Sequence, residues 1–526
     1  VRKVDIQNNR LVISFYVSKD EFGKELAFIK SLPSRQFDPV KKYWTIPYSI
    51  ANINLLHKHG YSLSEELKAA LEASYPAVVK SDVNLVQIDE ALLVPGLRSY
   101  QIEGVRFIET FKGKALLAFA PRLGKSLTSL AWCLYAKKQH ILVVCPSISK
   151  LVWEQEVKKW SSLRAQSLYG RTPYQIDKRI QVLIINYDIL THWIDMIEVW
   201  EYDAIIIDES HYASNKHRNV SVPTEEGKNV TVKTLVKRTQ SVQYLASKSP
   251  AVICLSGTPF LSYPAQLYQT VHMLAPRIFS NEYSFLHKYC DPILTRWGWE
   301  FKGASRIPEL KAKLATVMLR KAKEDVFTEL PEEEHILIPI TIDRKEYEED
   351  WAKYQIWYRA HRDLPEEELD AKILHMESVN YSKKRSAIHE WIKDFQKSGQ
   401  PLVVFAWFRE TCLDLHKAFA KDAVLIYGGT KDRQKEITKF QQGKAQILIG
   451  QISATKESIT LANSNDVLYA EVPYSAGDLI QSQERVFLPG KEHKNAYYYA
   501  VAWDTADEEK YERLQIRVKN LKKVLD

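Results

Sequence analysis

The chain of 526 residues carries only five cysteines, Cys133, Cys145, Cys254, Cys290 and Cys412, set far apart. No C-x-x-C spacing occurs, which argues against a zinc site. An odd count, with several in apolar segments, suits buried thiols in a reducing compartment. No apolar run reaches membrane-spanning length, and the first residues lack the hydrophobic stretch of a signal peptide. These absences set the expectation of an intracellular protein with no membrane partner, cytoplasmic or nucleoid-associated, or nuclear in a eukaryote. There is no close internal repeat and no low-complexity tract. Neither sign of charge dominates: the net +8 permits a polyanionic partner without requiring one. What is plentiful is core material. Apolar residues make up 45%, and 13 Trp with 28 Tyr argue against disorder. The length suggests about three or four domains.

Two short runs carry the chemistry. The first is A-F-A-P-R-L-G-K-S (Ala118–Ser126), which ends an apolar stretch and opens a helical one. A strand, a tight loop and a helix start gather free backbone N–H groups, and the helix dipole adds positive potential. Lys125 adds a point charge for outer phosphates, Gly124 shapes the loop, and Ser126 offers a hydroxyl to magnesium. Phe119 stands where such loops usually have their first glycine. The second run, I-I-I-D-E-S-H (Ile205–His211), puts Asp208 and Glu209 at the tip of a buried strand. One carboxylate can hold a metal while its neighbour orients a water. Either run alone fits an ordinary strand end or turn. Together and in this order they read as a nucleoside-triphosphate hydrolysis site.

Residues 1–80 read as a small α+β module. Arg10 to Val17 alternates like a strand, Asp20 to Leu32 has helical spacing, and F-D-P-V-K-K-Y-W-T-I-P (Phe37–Pro47) reads as a turn and strand. Two stretches of apolar strands alternating with helices follow, the pattern of parallel sheets covered on both faces. In residues 81–335 the strand candidates are Ala115–Ala120, His140–Cys145, Gln181–Asn186, Ala204–Asp208 and Ala251–Ser256. In residues 401–526 they are Leu402–Ala406, Val424–Tyr427, Ile447–Gln451, Val467–Glu471 and Tyr497–Ala502, before a closing helix from Asp507 to Leu525. The charged helical sequence of 336–400 is expected to link them. The predicted class is α/β: two parallel-sheet lobes with helical insertions and the N-terminal module.

Further runs fall in a set order. L-R-S-Y-Q (Leu97–Gln101) precedes the phosphate loop, where Gln101 can read adenine. V-V-C-P-S-I-S-K, I-I-N-Y-D-I-L and L-S-G-T-P-F follow, then M-L-R-K-A-K-E-D-V-F-T-E-L-P (Met318–Pro331). The second stretch has V-V-F-A-W-F, Y-G-G-T-K-D-R, I-S-A-T-K-E-S-I-T-L-A and Q-S-Q-E-R-V-F-L-P-G-K. Over nearly all of residues 95–526 this order resembles the superfamily-two helicase core, and within it the Swi/Snf-type DNA translocases. Y-C-D-P-I-L-T-R-W-G-W-E-F-K-G, L-I-Q-S-Q-E-R-V, A-V-A-W-D-T-A-D-E and the N-terminal F-D-P-V-K-K-Y-W-T-I-P are similar to the HARP-type annealing helicases.

The resemblance implies two RecA-like lobes that close on ATP and magnesium. Lys125 would grip the outer phosphates, Ser126 and Asp208 would hold the metal, and Glu209 would position the attacking water. His211 and Ser256–Thr258 would couple hydrolysis to lobe movement, and Arg485 would reach across as an arginine finger. DNA contacts are implied at Pro146, Ser147 and Thr455. The implied activity is ATP-driven movement on double-stranded or branched DNA by a monomer that remodels or reanneals strands with little unwinding. The sequence departs from the family pattern at Leu488, where a second arginine is usual, at Arg122 in place of a loop glycine, and at Ser458. Two rivals therefore stay open: a strand-separating DNA or RNA helicase, and a nucleotide-gated DNA-binding protein with weak turnover.

Some features have two readings. Alternating valines around E-E-G-K in Asn215–Gln240 predict a β-hairpin. Its flanking Lys233, Lys237 and Arg238 are either a solvated surface or a DNA contact. Trp44 is either a core aromatic or a base-stacking platform beside Lys41 and Lys42. Trp297 and Trp299 read as packing anchors.

Overall fold

Strands that are apolar on both faces must be covered on both faces. The computed structural model shows two such sheets. It describes residues 2–7, 10–32, 35–39, 42–47, 52, 55–56, 59–64, 83–214, 217–223, 229–295, 298–327, 330, 332–360, 366–455, 461, 463–487 and 494–525. In the N-terminal module, β1 (Arg2–Gln7), β2 (Arg10–Phe15), β3 (Gln36–Asp38), β4 (Tyr43–Pro47) and β5 (Ser62–Leu63) pair in the order β3-β4-β2-β1-β5. Leu11 and Ile13, two apart on β2, join Val4, Ile46 and Ile29 of helix Lys19–Ser31 in its core.

The first lobe contains β6 (Lys114–Phe119), β7 (Ile141–Cys145), β8 (Ala165–Ser167), β9 (Val182–Asn186) and β10 (Ala204–Asp208). It continues with the hairpin β11 (His217–Pro223) and β12 (Asn229–Leu235), then β13 (Val252–Leu255). A small pair, β14 (Ile293–Thr295) and β15 (Gly298–Glu300), and an edge strand, β16 (Met318–Lys321), complete it. The main sheet is all parallel, in the order β16-β6-β13-β10-β7-β9-β8. Alternation sorts each strand between two cores. Leu116 and Ala118 enter one, and Ala115, Leu117 and Phe119 the other. The hairpin expected from the alternating valines pairs His217 with Leu235 through Pro223 with Asn229.

The second lobe is another parallel sheet, made of β17 (Glu333–Ile340), β18 (Leu402–Ala406), β19 (Ala423–Ile426), β20 (Ile447–Gln451), β21 (Asp466–Tyr469) and β22 (Asn495–Ala502). Its order is β17-β22-β21-β18-β20-β19. The expected linker at 336–400 is corrected here. The boundary after residue 335 cuts through β17, which pairs with β22 along its whole length. Tyr347, Tyr381, Ile388 and Ile392 of the following helices lie in the second lobe's core. The C-terminal helix Ala506–Leu525, expected to belong to the second lobe, spans both: Leu514 packs in the second lobe's core, and Leu521, Val524 and Leu525 in the first lobe's. Among the described residues, no helix is long and apolar enough to cross a membrane.

One buried cation ties the long helix Glu366–Gln396 to this sheet. Lys384, 1% exposed, donates to the carbonyls of Ala500 (2.8 Å) and Ala470 (3.2 Å) and to Asp507 (2.6 Å). Truncating it strands a buried carboxylate and two carbonyls. Lys384→Ala is expected to destabilise the second lobe by about 3–5 kcal/mol in urea unfolding; a change below about 1 kcal/mol would contradict this account.

Candidate active site

In open parallel sheets, ligands sit beyond the carboxyl ends of the strands. The neighbours β6, β13 and β10 end side by side, bringing together the phosphate loop, Ser256 and the Asp208–Glu209 pair. After β6 the chain turns through Gly124, at φ +74°, into helix Lys125–Tyr135. A Cβ there would lie 2.3 Å from the Gln101 amide nitrogen, so glycine is needed for space as well as for its left-handed backbone. Lys125 folds back over the loop and donates to the Phe119 carbonyl at 3.1 Å. Burial lowers its pKa, while Glu209 and Asp208 pull it back up.

Gln101 supports the loop from below. Its side-chain oxygen accepts from the Arg98 N–H (2.9 Å) and its amide donates to the Leu123 carbonyl (3.3 Å). Only 5% exposed, it uses both ends of its amide on the protein itself.

Asp208 is fixed on three sides. Its carboxylate accepts from the Trp153 indole N–H (2.9 Å) and the Glu209 N–H (3.0 Å), and its carbonyl accepts from the Tyr187 hydroxyl (2.6 Å). Glu209 has φ +49°, strained for a side chain of this size, and the turn separates the two carboxylates. Burial, then the Glu209 charge, push the Asp208 carboxyl above the usual carboxylate range. Burial acts the same way on Glu209. There the His211 hydrogen bond and the charges of His211, Lys125 and Arg485 prevail, so this carboxyl lies below that range. Environments that push two adjacent acids apart are the mark of divided roles.

Ser126 and Asp208 are hard oxygen donors. Among the described residues no group of three or more His, Cys, Asp or Glu could enclose a metal. That donor set fits magnesium, which favours one or two protein ligands with phosphate and water completing the shell.

The carboxylates connect to the second lobe. His211 Nδ1 lies 3.3 Å from a Glu209 oxygen and 3.2 Å from Ser256 Oγ, and Ser256 Oγ donates to that Glu209 oxygen at 3.3 Å. The Thr258 N–H donates to Ser256 Oγ (3.2 Å), and Thr258 Oγ1 accepts from Gln481 Nε2 (2.7 Å). Gln481 lies on helix Ala476–Val486 of the second lobe, one turn before Arg485. Arg485 is near enough for its charge to lower the pKa of both Lys125 and Glu209.

The model of the SNF2-related domain matches residues 100–383, over half of the chain, and that of the helicase conserved C-terminal domain matches 383–487. The chain belongs to the SNF2-related family. It is 27% identical to the SWI/SNF-related matrix-associated actin-dependent regulator of chromatin subfamily A-like protein 1 of Xenopus laevis, over 96% of this chain and 54% of that protein. The Caenorhabditis elegans homolog is 27% identical over 98% of this chain and 74% of its own length. The human DNA annealing helicase and endonuclease ZRANB3 is 23% identical over 84% and 41%. The chain thus spans about half the length of the frog relatives it matches. The solved Sulfolobus solfataricus SWI2/SNF2 ATPase core in complex with dsDNA aligns with 84% of this chain and 99% of its own, at 19% identity and a TM-score of 0.39.

The residues expected to touch DNA in this SNF2-related chain scatter more widely. Pro146 is buried behind β7, and Ser147 is exposed at the start of a short turn. Thr455 is 0% exposed and its hydroxyl donates to the Gln451 carbonyl (2.9 Å), so it turns inward, contrary to expectation. Arg238 pairs with Asp188 at 2.5 Å on the surface and lies over the rings of Tyr187 and Tyr212. Lys237 is exposed at the start of helix Lys237–Lys248. Lys233 pairs with Asn219 across the hairpin, and its side chain lies outside the described residues. Lys42 is exposed, and Lys41 lies outside the described residues. Trp44 packs on the module's core, 4.9 Å from Phe37. Leu488, Ser458 and Trp297 lie outside the described residues, and Trp299 is exposed rather than an anchor.

Trp153 and Gln481 escaped the sequence reading. Trp153→Phe keeps the ring and removes the N–H aimed at Asp208. It is expected to raise the magnesium concentration required for nucleotide binding about tenfold or more, with thermal stability little changed. An unaltered magnesium titration would rule out this role for the indole. A metal must also displace the proton that the raised Asp208 pKa favours. Magnesium-supported binding should therefore weaken on acidification at a higher pH than the pKa of a free Asp would give. A pH series of the same titration checks the sign.

Proposed function

We propose that this chain is an ATP-dependent translocase on double-stranded or branched DNA, which remodels or reanneals strands with little conventional unwinding. One observation carries the reading: a single helix of the second lobe, Ala476–Val486, bonds Gln481 to Thr258 of the first lobe and brings Arg485 near enough for its charge to act on Lys125 and Glu209. ATP seated on the phosphate loop would meet charge from both lobes at once. Lys125 binds the outer phosphates, Glu209 holds a water in line, and Arg485 neutralises charge developing on the transferred phosphoryl group. Magnesium, held by Ser126 and Asp208, would supply further neutralisation of phosphate charge. Loss of the terminal phosphate removes what draws Arg485 inward. The Glu209–Ser256–Thr258–Gln481 hydrogen bonds then carry that change to the second lobe, and alternate closing and opening advances the lobes along DNA.

Family membership and the similarity to an annealing helicase support DNA as the track. Such tracking rests mainly on phosphate contacts, so sequence preference should be weak and salt sensitivity high. The N-terminal module would engage branched DNA through its exposed basic turn at Lys42, and the exposed Lys237 lies beside the inserted hairpin as a second basic point. The protein would act as a monomer wherever DNA is held, in a nucleus or nucleoid.

Phosphate release should rise several-fold on adding duplex or forked DNA and respond weakly to RNA. Lys125→Ala should abolish it. Glu209→Gln should retain nucleotide binding and lose roughly 10²–10³ in turnover. A rate indifferent to DNA would defeat the reading, and efficient displacement of strands from a blunt duplex would replace it with a strand-separating helicase.

A further inference from the structure

Arg122 lies at the tightest part of the phosphate loop with φ +68°, a left-handed backbone that long side chains rarely adopt. Its side chain leaves the first lobe. The guanidinium donates to the carbonyl of Phe487 and, at 3.0 Å, to the carbonyl of Arg485. These carbonyls close helix Ala476–Val486, where the last turn has no further helical N–H to satisfy it. The Arg485 carbonyl also accepts from the Leu461 N–H (2.8 Å) of its own lobe, so the C-terminal cap of this helix is shared between the two lobes. Lys323, also from the first lobe, pairs with Glu484 and lies 3.2 Å from the centre of the Phe487 ring. Buried ion pairs add little net stability but can fix one geometry. Two cations of the first lobe therefore grip residues 484, 485 and 487, on both sides of the arginine whose charge acts on Lys125 and Glu209.

We propose that Arg122 is a positioning residue: by holding the carbonyls of Arg485 and Phe487, the phosphate loop itself seats the arginine finger of the second lobe. The inference rests on the ATPase reading above. It adds that the loop binding the phosphates also sets where Arg485 stands. Arg122 touches no phosphate in this role and acts only through Arg485.

A double-mutant cycle in steady-state ATP hydrolysis by the full chain tests this. Arg122→Ala is expected to lower kcat about tenfold or more, as a small displacement of a catalytic group does, with KM for ATP changed less than about twofold. In the Arg485→Ala background the same change should have no further effect. Arg122→Lys should recover only part of the rate, because the shorter lysine lacks the planar fork whose two nitrogens each take one carbonyl. Arg122→Gly, which suits the left-handed backbone, should lose kcat while keeping its Tm, which separates the role from folding. Losses that multiply in the double variant, or a raised KM at unchanged kcat, would overturn the inference and leave the ATPase reading standing. A wild-type chain without ATP hydrolysis would overturn both.

Discussion

The site depends on the parallel register of three neighbouring strands. In chain order β13 comes after β10, yet it inserts between β6 and β10. Adjacent strands lie about 4.8 Å apart, so their three carboxyl ends form one short ledge. The Ser256 N–H donates to the Leu117 carbonyl (3.2 Å), and Asp208 lies opposite Leu255. Lys125, Ser256 and Glu209 are close because of this pairing and not because of sequence proximity. The pairing is secured by side chains in cores on both faces, including Ile205 and Ile207 on one side and Ala204 and Ile206 on the other. A slip of one residue would exchange those two sets and separate the catalytic groups.

On that ledge, strain and buried charge are concentrated together. Arg122, Gly124 and Glu209 all have positive φ. Asp208 is held by an indole and a backbone N–H, and Glu209 by His211 and Ser256. Such groups cannot reorient cheaply, so on the proposed reading they would face a reacting phosphate already aligned, as electrostatic preorganisation requires. The energy that holds them comes from the packed sheet beneath.

How much of this could be read from the sequence follows from the range of each signal. Strands with two buried faces show as unbroken apolar runs, which is why β6, β7, β9, β10 and β13 were found within a residue or two. Lys125 and the Asp208–Glu209 pair were legible because their chemistry lies in contiguous motifs. Trp153 was not, because its partner Asp208 is 55 residues away and its spacing looks like that of any core aromatic. Gln481 meets Thr258 across 223 residues and two lobes. Thr455 went astray for the same reason: a hydroxyl in a suggestive run says nothing of the carbonyl that will claim it. The boundary near 335 failed because β17 opens with E-E-H and so reads as charged linker, although it is an edge strand that can leave one margin wet.

The two lobes are joined by contacts of different physical kinds. Helix Ala476–Val486 meets the first lobe through polar groups, Arg122 with two carbonyls, Gln481 with Thr258 and Lys323 with Glu484, and through Ala476 and Ile480, which pack with the first lobe's core. The C-terminal helix, which packs against that helix, places Leu521, Val524 and Leu525 in the first lobe's core and Leu514 in the second's, with Arg517 over the Tyr263 ring. Of these polar contacts only Gln481 with Thr258 is a neutral hydrogen bond, worth about 0.5–1.5 kcal/mol net, while hydrogen bonds to charged groups are worth about 1.5–3 kcal/mol. Each buried leucine side chain returned to water costs about 1.5–3 kcal/mol. The polar and the apolar contacts between the lobes are therefore of comparable worth. On the proposed reading, a nucleotide's additional contacts in the cleft would tip this balance and so bias which way the lobes stand.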